Sequence, residues 1–214
     1  MKLIDINQFK AHLSDGLSIM VGGFMAVGTS ETLIDAIVET NVKNLTIICN
    51  DAGYPDKGVG KLIKNKQVKR LIASHVGLNP LVGQMMAEGS LEVILTPQGT
   101  LAEQIRAGGS GLGGILTPTG VGTQVEEGKQ KIIINDKEYL LETALKADIA
   151  IIYGSLVDKF GNVIYNATTR NFNPIMAMAS EKVFVWAEKY VDELEPNYIM
   201  TPHIFVDYIV KENN

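Results

Sequence analysis

The sequence predicts an α/β fold, a single domain over residues 1–214 with an open, mainly parallel sheet flanked by helices and a β-hairpin region. Three observations predict it. Short apolar runs alternate with amphipathic segments from residue 17 to residue 108. The intervening segments are of the size that a parallel crossover needs. The composition, 46% hydrophobic and 20% charged over 214 residues, is that of a chain able to bury one sizeable core.

The elements follow in order. "LSIMV" (17–21) reads as a buried strand, and "SETLIDAIVET" (30–40) as a helix with Leu33, Ile34, Ile37 and Val38 on one face. "NLTIICN" (44–50) is the next strand, so residues 17–50 form a βαβ unit. A short helix (58–67), a strand (68–74), a helix (80–89) with Leu81, Val82, Met85 and Met86 as core, a strand (91–96) and a helix (100–108) continue the alternation. "KIIINDKEYLLE" (131–142) reads as an antiparallel hairpin turning at Asn135-Asp136. Then come the run 148–158, a turn at Gly161-Asn162 and "VIYN" (163–166). A helix with Pro174 in its first turn (173–181) and strands at 182–188 and 203–210 close the chain.

The 24 acidic residues exceed the 19 basic ones, for a formal charge of −5, which argues against a binder of nucleic-acid phosphates. The lone cysteine, Cys49, allows no disulfide within the chain and suits core packing and a reducing cytoplasm. The first 16 residues lack the apolar core of a signal peptide, and no apolar run approaches the ~20 residues that cross a bilayer. The expected location is cytoplasmic, with no membrane partner.

The chemistry is expected at the carboxyl edge of the sheet, where open α/β sheets bind ligands. "GGFMAVG" (Gly22, Gly23, Phe24, Met25, Ala26, Val27, Gly28) joins the first strand to a helix. Glycines there let a ligand reach the backbone, and free N–H groups at a helix start suit a carboxylate, a phosphate or a thioester oxygen. The alternative is a tight turn with close strand–helix packing. Asn50, in "CNDAG", and Gln98, in "TPQGT", follow other strands at the same edge; amides can bind a carboxylate or carbonyl, although both residue types also form turns. The Gly-x-Gly-x-x-Gly match at Gly109, Gly111 and Gly114 follows a helical segment, the wrong context for a dinucleotide site. The run 106–129 reads as an ordered loop laid across another surface, because apolar residues are spaced through its glycines.

His12, His75 and His203 lack metal-ligand spacing, and Cys49 is mid-strand. There is no nucleophile elbow, and Glu126-Glu127 read as a solvated turn. No catalytic residue and no metal ligand is assigned in this chain.

The stretches "VGGFMAVGTS", "NLTIICNDAGYPDKGVGKLI", "IASHVGLNP", "VILTPQGTLAEQIRAGGSGLGGILTPTGVGT" and "TTRNFNPIMAMA" resemble the alpha subunit of family I CoA-transferases, nearest the acetate or butyrate–acetoacetate group. The likeness spans Asp15 to Tyr208. It implies the CoA-transferase sheet fold, shared with sugar-phosphate isomerases, and transfer of CoA from an acyl-CoA to a short-chain acid. Transfer would pass through a glutamyl-CoA thioester on a beta subunit, in an α2β2 or α4β4 hetero-oligomer. The resemblance places CoA against Gly22–Gly28 and the acyl substrate against Gln98 and Asn50. CoA is then a substrate, with no permanently bound cofactor. Ser30 stands where the family usually has proline; serine can cap the helix instead. Two alternatives remain: a stand-alone sugar-phosphate isomerase using Asp51 with Lys57 or Lys61, and a non-catalytic CoA- or carboxylate-binding protein.

Overall fold

The central apolar runs, 18–21, 45–49 and 147–158, are near-continuous because they lie between two helical layers and must be apolar on both faces. In the computed structural model, which describes residues 2–211, the main sheet has the order β1 (Leu3–Ile4), β12 (Tyr208–Val210), β11 (Ser180–Val191), β9 (Ala147–Asp158), β2 (Ser18–Val21), β3 (Leu45–Cys49), β4 (Val68–Ala73), β5 (Glu92–Leu95). Every pairing along this path is parallel. β10 (Val163–Ile164) folds back antiparallel on β9. The ends of the expected 1–214 domain, Met1 and 212–214, lie outside the described residues.

Side chains alternate between the layers. Ile19 and Val21 of β2, Ile47 and Cys49 of β3, and Ile149 and Ile151 of β9 face one core. Helices α1 (Ile6–Lys10), α2 (Glu31–Thr40), α3 (Val59–Lys64) and α4 (Pro80–Ala87) cover that core. Met20, Ile48, Ala150 and Ile152 face the opposite core, under α5 (Gln98–Gly109) and α6 (Asn173–Met178). All four apolar residues expected on one face of 30–40 pack into the first core. Ser30 caps α2, its hydroxyl accepting the Leu33 N–H at 3.1 Å, so the helix start needs no proline.

The hairpin at 131–142 forms, as β7 (Lys131–Ile134) and β8 (Lys137–Thr143). Asn135 (φ 50°) and Asp136 (φ 59°) are both left-handed, as a type I′ turn requires. The hairpin belongs to a separate three-stranded antiparallel sheet, completed by β6 (Gly114–Thr117). The 106–129 run is therefore not one loop: it contains the end of α5, a strand, and a 3-10 turn at 124–126.

Residues 3–10 add β1 and α1 to the expected elements, the helix opened by a capping box in which Asp5 and Gln8 exchange hydrogen bonds. Three other expectations are corrected. Met86 is exposed, because α4 turns only Val82 and Met85 fully inward. α5 begins at Gln98 rather than residue 100, its first turn closed by the Leu101 N–H donating to the Pro97 carbonyl at 2.9 Å. Residues 203–205 form a 3-10 turn, not strand; the His203 N–H donates to Asn162 Oδ1, and Lys2 Nζ binds the His203 and Val206 carbonyls.

Asp158 ends β9 and has no exposed surface. Burial alone would push its carboxyl up. The Asn162 side chain and the N–H groups of Asn162, Phe160 and Leu194 outweigh burial and hold it below its ordinary value. A depressed native pKa stabilises the fold above the unfolded value of about 3.9, and that stabilisation is lost as pH falls through the native one. Asp158→Asn is expected to lower stability at pH 7 by about 2 kcal/mol and to flatten the fall in urea midpoint between pH 5 and 3. A variant with the wild-type pH profile would contradict this.

Candidate active site

The strand order reverses between β9 and β2, with β3, β4 and β5 on one side and β11 and β12 on the other. At such a reversal the connections leave in opposite directions, and a crevice opens at the carboxyl ends of the strands. Gly22–Gly28 leaves β2 there.

The loop is held by hydrogen bonds at almost every step. The Gly22 N–H continues the sheet ladder to the Ile151 carbonyl at 3.1 Å, and the Gly23 N–H donates to Asn171 Oδ1 at 3.0 Å. Phe24 and Val27 exchange two backbone bonds, closing a turn on Met25 (φ 50°) and Ala26 (φ 65°). Two consecutive left-handed non-glycine residues are costly and persist only where their surroundings impose them. Here the Met25 N–H is fixed at 2.8 Å by Asp51 Oδ2, and the Val27 carbonyl at 3.0 Å by Asn171 Nδ2.

The expectation of a row of bare N–H groups is therefore corrected. The N–H groups of Gly22, Gly23, Phe24, Met25 and Val27 are all engaged within the protein; those of Ala26, at the tip, and Gly28 have no partner among the described residues. Protein atoms fill the space that a Cβ would take at these glycines. A Cβ on Gly22 would stand 1.8 Å from Asn173 Oδ1, and one on Gly28 (φ 75°) 2.6 Å from the Thr169 carbonyl oxygen. Asn173 is fully buried, donating to the carbonyls of Gly28 and Thr169 and accepting the Tyr153 N–H. What the loop presents outward is the exposed apolar tip of Phe24, Met25 and Val27.

Three further strand ends meet that tip. Asn50 follows β3, Ser74 follows β4, and Gln98 opens α5 after β5. Gln98 Nε2 donates to Asn50 Oδ1 at 3.1 Å, and the Ser74 hydroxyl donates to the Asn50 backbone carbonyl at 2.7 Å and to Oδ1 at 3.2 Å. Together with Phe24, Met25, Asp51, His75 and Leu78 these residues line a cleft of about 420 Å³. Of the residues expected at the site, Phe24, Met25, Asn50 and Gln98 share this cleft; Gly22, Gly23 and Ala26 line a small void behind the loop. Met25, Ala26 and Val27 also border a wider groove of about 870 Å³ against the Tyr54–Lys57 turn. Ser74, His75 and Asn171 were not foreseen. The first two follow a strand of the same parallel set, and the rule that singled out Asn50 applies to them equally.

The cleft's carboxylate is not free to attack. Asp51 is buried, and its second oxygen, Oδ1, accepts the Gly53 N–H at 2.9 Å. Cys49 is enclosed, and burial, then the Asp51 charge, pushes its thiol well up. Lys61 is held by Asp35 at 2.6 Å and Glu31 at 2.7 Å. The acid and one lysine that an isomerase would need are thus consumed by structure. The arrangement can seat an uncharged acyl group between apolar walls and an amide.

Residues 5–212 match the family described as Coenzyme A transferase. The chain is 55% identical over 213 residues to the acetoacetyl-CoA:acetate/butyrate CoA transferase alpha subunit of Clostridium acetobutylicum, covering 99% of this chain and 98% of that one. It is 47% identical over 211 residues to the acetate CoA-transferase subunit alpha of Escherichia coli K12, covering 98% and 96%. An acyl-CoA transferase from E. coli O157:H7, solved as a thioester complex with CoA, superposes with a TM-score of 0.86 at 22% identity. That match covers 98% of this chain and 47% of the solved one, so this chain spans about half that polypeptide. Glutaconate coenzyme A-transferase from Acidaminococcus fermentans gives 0.85 at 17% identity, covering 99% and 75%.

Proposed function

This chain belongs to the coenzyme A transferase family, and on that premise we propose that it is the alpha half of an enzyme that moves CoA from an acyl-CoA to acetate, butyrate or acetoacetate. The attacking carboxylate is a glutamate of a beta subunit, in an α2β2 or α4β4 assembly in the cytoplasm. That carboxylate adds to the thioester carbonyl, the C–S bond breaks, and CoA leaves as thiolate from an acyl-glutamyl anhydride. The thiolate then attacks the glutamyl carbonyl, releasing the first acid and leaving glutamyl-CoA. The acceptor acid runs the same steps in reverse, so no oxidant or net proton is needed.

This chain's part is to seat and polarise. Phe24, Met25, Ala26 and Val27 meet the thioester and pantetheine, and Gly22, Gly23 and Gly28 let the loop fold tightly enough to present them. Gln98 locks Asn50 so that Asn50 Nδ2 remains a donor for the acyl or carboxyl oxygen, where negative charge develops. CoA enters and leaves as substrate. One observation carries the reading: an apolar tip and an amide pair converge on a cleft whose carboxylate is already committed to two backbone N–H groups.

The experiment is reconstitution. The isolated chain is expected to exchange no CoA, and the chain with its beta subunit to turn over. Borohydride trapping during turnover should reduce the thioester on a beta-subunit glutamate, identified by peptide mass. Full activity of the isolated chain, or a mark on one of its own glutamates, would overturn the split site.

A further inference from the structure

We propose that His75 selects 3-oxoacyl substrates, its imidazole N–H donating to the 3-oxo oxygen while Asn50 Nδ2 takes the oxygen at the reacting carbon. The inference rests on the acyl-exchange reading of the cleft. Most polar groups of the cleft are engaged within the protein. Both Asp51 oxygens accept backbone N–H groups, the Ser74 hydroxyl donates to Asn50, and Gln98 Nε2 donates to Asn50 Oδ1. Among the described residues, Asn50 Nδ2, the ring nitrogens of His75, Gln98 Oε1 and the second N–H of Gln98 Nε2 have no hydrogen-bond partner.

His75 is exposed to the cleft but is not a loose surface side chain. Its backbone is pinned, its carbonyl accepting the Ala52 N–H at 3.0 Å and its chain bridging to Asp51. Its ring lies over Gly77, where a Cβ would come within 3.0 Å of Cε1 and 3.1 Å of Nε2. A side chain at 77 would push the ring away. Imidazole offers an N–H donor whether neutral or protonated. Asn50 Nδ2 and the imidazole N–H, on two different strand ends of the cleft, can meet two acyl oxygens, which a 3-oxoacyl chain has and a saturated one lacks. Phe24, Met25 and Leu78 supply walls on which a saturated chain can rest.

The test compares acceptors of equal length on the reconstituted complex: kcat/KM for acetoacetate divided by kcat/KM for butyrate. His75→Ala is expected to lower that ratio about tenfold, as loss of one ordinary hydrogen bond does. His75→Gln, which keeps an N–H donor, should restore part of it. An unchanged ratio, whether both activities persist or both fall, would overturn the inference and leave the acyl-exchange reading standing. Failure of the wild-type complex to transfer CoA to any acid would instead overturn that reading, and the inference with it.

Discussion

Gly28→Ala is expected to cost the reconstituted enzyme about a hundredfold or more in kcat/KM, the loss that follows when a positioning element moves by about 1 Å. Two costs act together. The residue is left-handed, at φ 75°, where a Cβ adds about 1 kcal/mol or more. The new Cβ also meets the Thr169 carbonyl oxygen at 2.6 Å and the Thr169 Cα at 2.9 Å, both backbone atoms that no rotamer change can move aside. The loop and the 167–173 segment must separate, loosening the bonds from Asn173 Nδ2 to the carbonyls of Gly28 and Thr169. Denaturation should show a loss of about 2–4 kcal/mol with the transition still cooperative, because the sheet beneath is untouched. Wild-type kinetics in a folded Gly28→Ala enzyme would show that the loop's position does not set the activity.

The frame of this site was legible because parallel strands impose simple rules. Continuous apolar runs mark β2 and β3, the helical period marks Leu33, Ile34 and Ile37, and residues just after such strands lie on one edge. That logic puts the Gly22–Gly28 loop, Asn50 and Gln98 at one end of the sheet. It did not reveal why the glycines are there. Asn171 and Asn173, which fill the space beside Gly22 and Gly28, lie nearly 150 residues downstream, beyond any local pattern. Nor could it show that Asp51 faces the loop rather than solvent, since an Asn-Asp pair after a strand reads equally well as a turn. The β12 boundary failed for a similar reason: "HIFVDYIV" alternates well, but Asn162 and Lys2 take up backbone groups at 203 and 206.

Asp51 carries the other large effect, through the loop rather than through chemistry of its own. A buried carboxylate without a cation is tolerated only when hydrogen bonds satisfy it, and this one has the N–H groups of Met25 and Gly53. The Met25 bond matters more for activity, because it holds the first of the two left-handed residues that aim Phe24 and Met25 into the cleft. Asp51→Ala removes both acceptors and leaves two inward N–H groups unpaired. The expected cost is about 2–4 kcal/mol in stability and about a hundredfold in kcat/KM, with the KM for the acyl-CoA rising. Asp51→Asn is nearly isosteric but must turn an N–H₂ toward one of the two N–H groups, so it keeps one bond and should fall between the two. Cys49 supplies a local readout that a general loss of stability would not reproduce. It is buried two residues from Asp51, so alkylation under native conditions should accelerate in Asp51→Ala well before global unfolding. If Asp51→Ala were as active as wild type with Cys49 still protected, the loop would be held by Asn171 and Asn173 alone, and the carboxylate would have no role in presenting the tip.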